Sequence, residues 1–531
     1  MVLPRLRFDF LRNDISAGFV VFLVALPLCL GIAVASEAPP LSGLIAGIVA
    51  GILVSLLSGC ELSVSGPAAG LAVTVIGATH SIGSFEGLLV ATILSGLFQI
   101  LLGSLRAGHL ATFFPSAVIK GMLAGIGIII AFKQFPHAIG WRSTFNPEEG
   151  MFCFLSPFCL KGLWSQMSTT EGHFDLAAII IAVLSLVTLI AWSKLAHVLP
   201  RFCKILPAPL AVVGFAILLN EALLTNAPHL ALYAVDGQLI TIPKLTSARD
   251  LLSQGPNELW TSLWNPKIWY GAGVLAIIGS LETLICLEAI DKLDPLHRVS
   301  RPNRELVAQG IGNIASGALG GLPMTSVIVR SSTNIYSGGR TRLSGMFQGA
   351  LLLLSVIAIP GVLNRIPLAA LSAILIVVGY KLTNINLIKS LWRSGMDQFL
   401  PFVVTALGVV IFDLLTGVFI GTIFGLLVVI VMNHHSAFTI VHDESYYFLR
   451  FAKDVTFLQK IALKSTLAAV PDHSTIIIDG GSAMFIDRDI LELLKDFKES
   501  AEDRHISVEI RNLPSTKFDL FSAFSKRTSH G

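Results

Sequence analysis

Apolar stretches long enough to cross a bilayer recur between residues 14 and 433, each bounded by short polar turns. A hydrocarbon core about 30 Å thick needs about 20 such residues per helical crossing. On that rule the sequence predicts helices near 14–35, 41–59, 86–105, 115–134, 174–195, 205–220, 270–290, 304–319, 343–362, 367–381, 397–413 and 416–433. Two further apolar segments are too short or too interrupted to be ordinary spans. They are Ser63–Val75 (SVSGPAAGLAVTV) and Gly321–Thr333 (GLPMTSVIVRSST). Counting both gives fourteen elements. Charge marks where this pattern stops. Of the 71 Asp, Glu, Lys and Arg residues, 26 lie in the last 89 residues and 45 in the first 442. The tail is therefore charged like a soluble domain, and the rest is far below that level.

Loop charge tests the count. With the N-terminus inside, the even-numbered turns face the cytoplasm. They hold Arg106; Lys194, Arg201 and Lys204; Lys292, Arg298, Arg301 and Arg304; Arg340 and Arg342; and Lys381, Lys389 and Arg393. The short odd-numbered turns hold almost none, Arg365 being the exception. The long loops 135–173 and 221–268 carry some Lys and Arg, but long loops follow the rule weakly. The pattern predicts an even number of spans with both termini cytoplasmic.

The two interrupted segments are each third in a set of seven, and each has a β-prone stretch, a Pro and then small residues. The fifth elements also match: FPSAVIKGMLAGIGIIIAFK beside IPLAALSAILIVVGYK. Two inverted seven-segment repeats leave such a trace. Breaks at membrane depth survive only where they are buried in protein or line a cavity, because unpaired backbone groups are costly in lipid. Pro67 and Pro323 are expected at or just before the start of a half-helix. The N–H groups near Ala68–Ala69 and Thr325–Val327 then face the protein centre. Two helix N-termini opposed in this way favour an anion; the structural alternative is a pair of packing kinks.

Glu282 lies in an apolar run, AIIGSLETLICLEAI. A carboxylate at that depth is costly and marks a functional site. It is a candidate proton carrier or sodium ligand, or else the structural partner of a buried cation, for which Arg330 is the candidate. Cys286, one turn on, shares its face and either lines the same cavity or fills core. Glu288 and Asp291 read as solvated, Asp413 as a turn residue, and Lys120 and Lys133 as snorkelling side chains. No His falls into metal-ligand spacing, and neither a P-loop nor a catalytic triad signature is present, so the chain reads as no enzyme. No basic run points to nucleic acid. The mixed charges of the first twelve residues do not resemble a cleavable signal. Of six cysteines, Cys153 and Cys159 share one polar-flanked loop, as two thiols or as a disulfide if that loop faces an oxidising compartment.

From about 445 the pattern becomes that of a small α/β module: strand Tyr446–Phe451, helix Leu458–Ala469, strand Ser474–Asp479, amphipathic helix Asp487–Ala501 and strand Ile506–Ile510. The tail after Pro514 is polar.

Several of these segments resemble the SulP family of inorganic anion transporters, relatives of the prestin and pendrin group. DISAGFVVFLVALPLCLGIAVASEAPPLSGLIAGIVAGI resembles its opening, SVSGPAAG (63–70) its third-helix motif, and NRELVAQGIGNIASGALGGLPMTSVIVRSSTNIYSGGRTRLSG (303–345) its ninth and tenth helices. The C-terminal module is similar to the STAS domain. The resemblance implies an α-helical membrane protein of fourteen transmembrane segments in two inverted repeats, arranged as core and gate domains, plus a small cytoplasmic α/β STAS-like domain. It implies a cytoplasmic N-terminus at 1–13, a transporter domain at 14–435, a short STAS-like domain at 436–513 and a tail at 514–531. By position it implies an anion pocket from Leu28, Cys29, Ala68, Ala69, Cys286, Thr325, Ser326, Val327 and Arg330, with Glu282 as the coupling group. The eighth-helix carboxylate is Asp in the family's sodium-coupled bicarbonate carriers and Glu here, which leaves Na+, H+ or exchange open and implies no other cofactor. Two departures stand out. Leu28 replaces a polar residue that often follows the first-helix Pro. In the STAS pattern, Arg488 and Asp489 stand where a phosphorylatable Ser is usual.

The reading is therefore a secondary transporter of bicarbonate or sulfate in a bacterial-type inner membrane, working by elevator-like motion of core against gate, and a homodimer. The alternatives are a nucleobase-type permease, which shares the architecture but wants more carboxylates in its core, and a non-transporting STAS scaffold or sensor.

Overall fold

A computed structural model of the chain describes residues 9–108, 115–140, 175–195, 207–228, 231–233, 237–243, 255–256, 264–412, 414–434, 438–443, 445–452, 455, 459–483 and 485–512. The loop holding Cys153 and Cys159, Asp413 and the tail after 514 lie outside the described residues. The chain divides into two compact units, Met1–Ile423 and Phe424–Gly531.

The first unit is helical. Helix α1, Leu11–Ala35, carries Pro27 inside it. Helix α2, Pro40–Leu57, starts on a Pro whose missing N–H costs nothing there. A π-helical turn, Ala50–Val54, interrupts it. Then come strand β1 (Ser65–Gly66) and helices α3 (Ala69–Ile82), α4 (Phe85–Ser104), α5 (Ser116–Ala138), α6 (Leu176–Leu195), α7 (Ala208–Asn226), α8 (Pro266–Leu293) and α9 (Pro302–Ala318). Strand β2 (Thr325–Ser326) leads into helices α10 (Ile328–Tyr336), α11 (Leu343–Ala358), α12 (Leu368–Thr383), α13 (Ile385–Ser394), α14 (Met396–Ile411) and α15 (Leu414–His434), the last of which runs across the boundary between Ile423 and Phe424. Among the described residues, α1, α2, α4, α5, α7, α8 and α12 together with α13 are long and apolar enough to cross a membrane. Shorter apolar helices accompany them, α3, α11 and α14 included.

Packing brings the sequence-matched elements together. Strands β1 and β2 pair with each other, antiparallel, Ser65 opposite Ser326 and Gly66 opposite Thr325. The fifth elements, α5 and α12, each begin directly after an extended Pro cap, Pro115 and Pro367. They cross where Gly127 and Gly379 meet, and a Cβ on either would stand 2.5 Å from the other's carbonyl oxygen. Small residues permit this close backbone approach, which lipid-embedded helices use to gain dispersion contact.

Three expectations need correction. Residues 385–394 form helix α13, not a turn, because Leu387, Ile388 and Leu391 turn one apolar face onto a cluster containing Ala117, Ala124 and Phe402. Asp291 is not simply solvated: it accepts hydrogen bonds from the Ser300 amide at 3.1 Å and hydroxyl at 2.6 Å, bracing the α8–α9 turn. Lys133 does not merely snorkel, since its Nζ lies 3.6 Å from Glu37. Glu288 is exposed as expected and pairs with Lys292 at 2.7 Å.

The second unit holds a four-stranded sheet in the order β3 (Phe438–Asp443), β4 (Tyr446–Phe451), β5 (Thr475–Asp479), β6 (Ser507–Arg511). Strands β3 and β4 are antiparallel, and the remaining pairs are parallel. Helices α16 (Lys460–Ala468) and α17 (Arg488–Asp503) supply Leu463, Leu467, Ile490 and Leu494 to a core with Leu449, Phe451, Ile476 and Ile478. Strand β3 was not expected from the sequence. Arg488 and Asp489 occupy the first turn of α17, where the Asp487 side chain caps the Asp489 amide at 3.1 Å.

Candidate functional site

The two-residue strands fix the site. Each is the extended approach to a half-helix: β1 to α3, through the extended cap Ala68, and β2 to α10, through the extended cap Val327. Their pairing places the N-termini of both half-helices side by side. Ala69 opens α3, as its place in the sequence suggested. In the second half the helix starts later than expected. Thr325 and Ser326 are strand, the Val327 amide is already bonded to the Val64 carbonyl at 3.0 Å, and the Ser326 amide faces Thr283 Oγ1 at 3.4 Å. The donors that α10 cannot satisfy within itself are those of its first turn, Ile328, Val329 and Arg330. Pro323 correspondingly precedes β2 and does not start the half-helix.

Arg330 is fully buried in that first turn. Its Nη2 donates to Cys29 Sγ of α1 at 3.4 Å and to the Pro67 carbonyl at 3.5 Å. Its Nε and Nη1 have no hydrogen-bond partner among the described residues. Gly66 lets the guanidinium lie against β1, for a Cβ there would collide with Nη1. No carboxylate among the described residues forms an ion pair with Arg330, so it is not the partner of Glu282. Leu28 packs in the main apolar cluster beside Cys29.

Glu282 of α8 approaches the first turn of α3 at Gly70. A Cβ on Gly70 would stand 2.6 Å from Oε1 and 2.7 Å from Oε2. The Thr325 hydroxyl faces the carboxylate, and Oε2 is inaccessible with no hydrogen-bond partner among the described residues. The structure thus gathers Cys29, Ala68, Ala69, Glu282, Thr325, Ser326, Val327 and Arg330 around two adjacent helix ends. Cys286 is placed differently. It is fully buried in an apolar cluster with Cys60, Leu62, Leu287 and Leu306, which is a core position. No group of three or more His, Cys, Asp or Glu among the described residues could hold a metal.

Sequence reasoning missed the polar frame behind the strands. Glu305 of α9 is fully buried and accepts from the Gly59 amide (2.8 Å), the Ser58 hydroxyl, Gln309 Nε2 (3.0 Å) and the Ser326 hydroxyl (3.2 Å). Gln309 Nε2 also reaches Ser65 Oγ at 2.6 Å. One carboxylate and one amide, four residues apart on α9, thereby hold both strands of the pair. Asp14 is likewise buried, accepting from the Arg340 amide (2.7 Å), the Thr341 amide (3.0 Å) and the Thr341 hydroxyl (2.5 Å). This ties α1 to the turn before α11. The one sequence signal was that both acids stand in the first turn of a predicted helix.

The sulfate permease family matches residues 11–405. The bicarbonate transporter BicA of Picosynechococcus sp. is 27% identical over 431 residues, 78% of this chain and 70% of that protein. The sodium-independent sulfate anion transporter of Bos taurus is 26% identical over 439 residues, 81% of this chain and 71% of that protein. Among solved structures, the transmembrane domain of a cyanobacterial BicA matches with a TM-score of 0.66 at 23% identity, covering 79% of this chain and 100% of that one. That likeness establishes a shared fold.

Proposed function

The chain belongs to the sulfate permease family, and on that footing we propose that it is a secondary active transporter of bicarbonate or sulfate, with Arg330 and the N-termini of α3 and α10 as its anion site. It is an anion transporter and not an enzyme. The observation that carries the site is Arg330: a buried guanidinium with two nitrogens unpartnered and no carboxylate in ion-pair reach among the described residues. An uncompensated buried charge costs several kcal/mol. An oxyanion between the half-helices removes that cost by accepting from Nε and Nη1, and it meets the free N–H groups of both first turns as well. A guanidinium with a single nearby carboxylate suits an oxyanion better than the edge of a nucleobase.

Glu282 is the coupling group in this reading. Its unpartnered Oε2 can carry a proton in step with anion movement, and a sodium ion held by Glu282 and Thr325 is the second form of the same role. Helices α1–α7 and then α8–α12, α14 and α15 give fourteen segments in two sets of seven, with α13 lying outside the count. The β1–β2 pair and the α5–α12 crossing support an inverted relation between the two sets. Alternating access then moves the element carrying the half-helices, the core, past a gate containing α5 and α12. Residues 436–513 are a short STAS-like domain following a transporter domain at 14–435, with both termini cytoplasmic, a bacterial-type inner membrane as the location and a homodimer as the assembly.

The test is uptake of labelled bicarbonate and labelled sulfate by proteoliposomes containing the full chain, with and without a sodium gradient and across pH. Saturable uptake of one anion, competed by the other, is expected. Normal expression and reconstitution without saturable flux of either would overturn the proposal.

A further inference from the structure

We propose that α13 and the start of α14 form a binding site for the headgroup of an anionic phospholipid, one that clamps this part of the helical unit to the membrane surface. The first observation is length. A single residue, Asn384, separates α12 from α13 over Leu368–Ser394. Laid end to end at 1.5 Å per residue the two would reach about 40 Å, more than the ~30 Å hydrocarbon core. The chain turns at Asn384, whose φ of 10° leaves the helical range and whose side chain caps the Asn386 amide at 3.0 Å. The 16 residues of α12 before that turn already cover about 24 Å. The turn leaves α13 free to lie at the level where lipid tails give way to headgroups.

The second observation is chemistry. The inner face of α13 is closed, with Leu387, Ile388 and Leu391 packed in the cluster with Ala117, Ala124 and Phe402. The outer face is open. Ile385 and Trp392 are about half exposed, and Lys389 and Arg393 are exposed, one helical turn apart. Trp392 meets Phe399 of α14 edge-on, with ring centroids 4.8 Å apart. Ile388, Lys389, Trp392, Arg393 and Phe399 bound a surface hollow of about 220 Å³. Aromatic rings beside Lys and Arg are the residue types that sit at headgroup level.

The third observation is charge. From Leu368 to Met396 the chain has three cations, Lys381, Lys389 and Arg393, and no acid. None of the three forms an ion pair among the described residues; the nearby Asp397 is engaged by Gln398 at 3.4 Å. Two like charges four residues apart disfavour the helix slightly, and a phosphodiester between them reverses that term. The aromatic floor takes the glycerol and upper acyl carbons, which is why the occupant is a lipid and not free phosphate. Because α13 packs on α14 and shares an apolar cluster with Ala117 and Ala124 of α5, lipid held here steadies the side of the bundle that carries α5.

The test uses the full chain in phosphatidylcholine nanodiscs doped with phosphatidylglycerol, reading thermal unfolding and lipid retention by native mass spectrometry. The wild type should gain stability and retain phosphatidylglycerol. The double variant Lys389→Gln/Arg393→Gln should bind it about 30-fold more weakly. The charge-conserving pair Lys389→Arg/Arg393→Lys should keep the response, which separates loss of charge from loss of fold. Equal phosphatidylglycerol responses in wild type and the Gln double variant would overturn the proposal. So would a full response to soluble glycerol 3-phosphate, which would make the site one for free anions. Neither readout involves transport, so failure here leaves the anion-site reading standing.

Discussion

Gly70 is the most direct lever on Glu282. A methyl group there would stand 2.6, 2.7 and 2.8 Å from Oε1, Oε2 and Cδ of the carboxylate. Comfortable contact lies near 3.5 Å, so in Gly70→Ala the carboxylate must retreat by about 0.8 Å. The blocking group is the far end of a flexible side chain, so the retreat costs about 0.5–1.5 kcal/mol in rotamer energy. Ala in place of Gly inside a helix returns about 1 kcal/mol. The two nearly cancel, and the melting temperature should hardly move. Function has no such compensation. A displacement of this size exceeds the ~0.5 Å tolerance of a working site, and near 1 Å it costs up to about 100-fold in rate. Coupled anion uptake by proteoliposomes should therefore fall by about 10- to 100-fold with an altered pH profile. Gly77→Ala is the control. It lies in the same helix with nothing within 4 Å of its Cβ, so it should match the wild type in uptake and be slightly more stable. Wild-type uptake and pH profile in Gly70→Ala would refute the role given to Glu282, as would an equal loss in Gly77→Ala.

Glu282→Gln should abolish coupled uptake, or its dependence on pH, while the protein folds; wild-type flux at every pH would remove Glu282 from the mechanism. Thr325→Trp should block the pocket between the half-helices, and an unchanged apparent affinity for the anion would mean that the site lies elsewhere. Glu305→Gln puts an amide NH2 among four donors that now converge on a carboxylate. With about 1–3 kcal/mol lost per stranded buried donor, the cost is roughly 3–5 kcal/mol. The melting temperature in detergent should drop accordingly, and an unchanged value would mean the network does not hold the strands.

The helical membrane-protein character of the chain is legible because lipid imposes one rule, about 20 apolar residues per crossing, that leaves its mark residue by residue. Glu282 is legible for the same reason: a lone charge inside an apolar run has no local excuse. The strand pair was visible as two breaks, but not as one object, since nothing in either segment says that Ser65 will lie opposite Ser326. The α10 start was placed too early because Pro323 looked like a helix opener, whereas β2 needs the next residues in extended form. Glu305 and Asp14 escaped notice because an acid in the first turn of a helix ordinarily faces water and favours the dipole. Only tertiary packing turns these two inward. Helix α13 was read as a loop because a ten-residue amphipathic stretch carries too little hydropathy to register as a span.

The pairing of β1 with β2 also has a consequence for how the protein is made. Ser63 and Ser326, whose hydroxyls lie 2.8 Å apart, are separated by 263 residues. While the first half of the helical unit emerges, β1 has its partner still unsynthesised, and backbone polar groups left unpaired in lipid are costly. The nascent first half is therefore an incomplete solution to its own hydrogen bonding. It stays dependent on the insertion machinery or on water until α9 arrives with Glu305 and Gln309, and β2 follows within a few residues. Contacts this distant in sequence close late. The last part of the helical unit to settle is thus the strand pair, and a chain truncated before residue 326 lacks β2 and with it the means to satisfy β1.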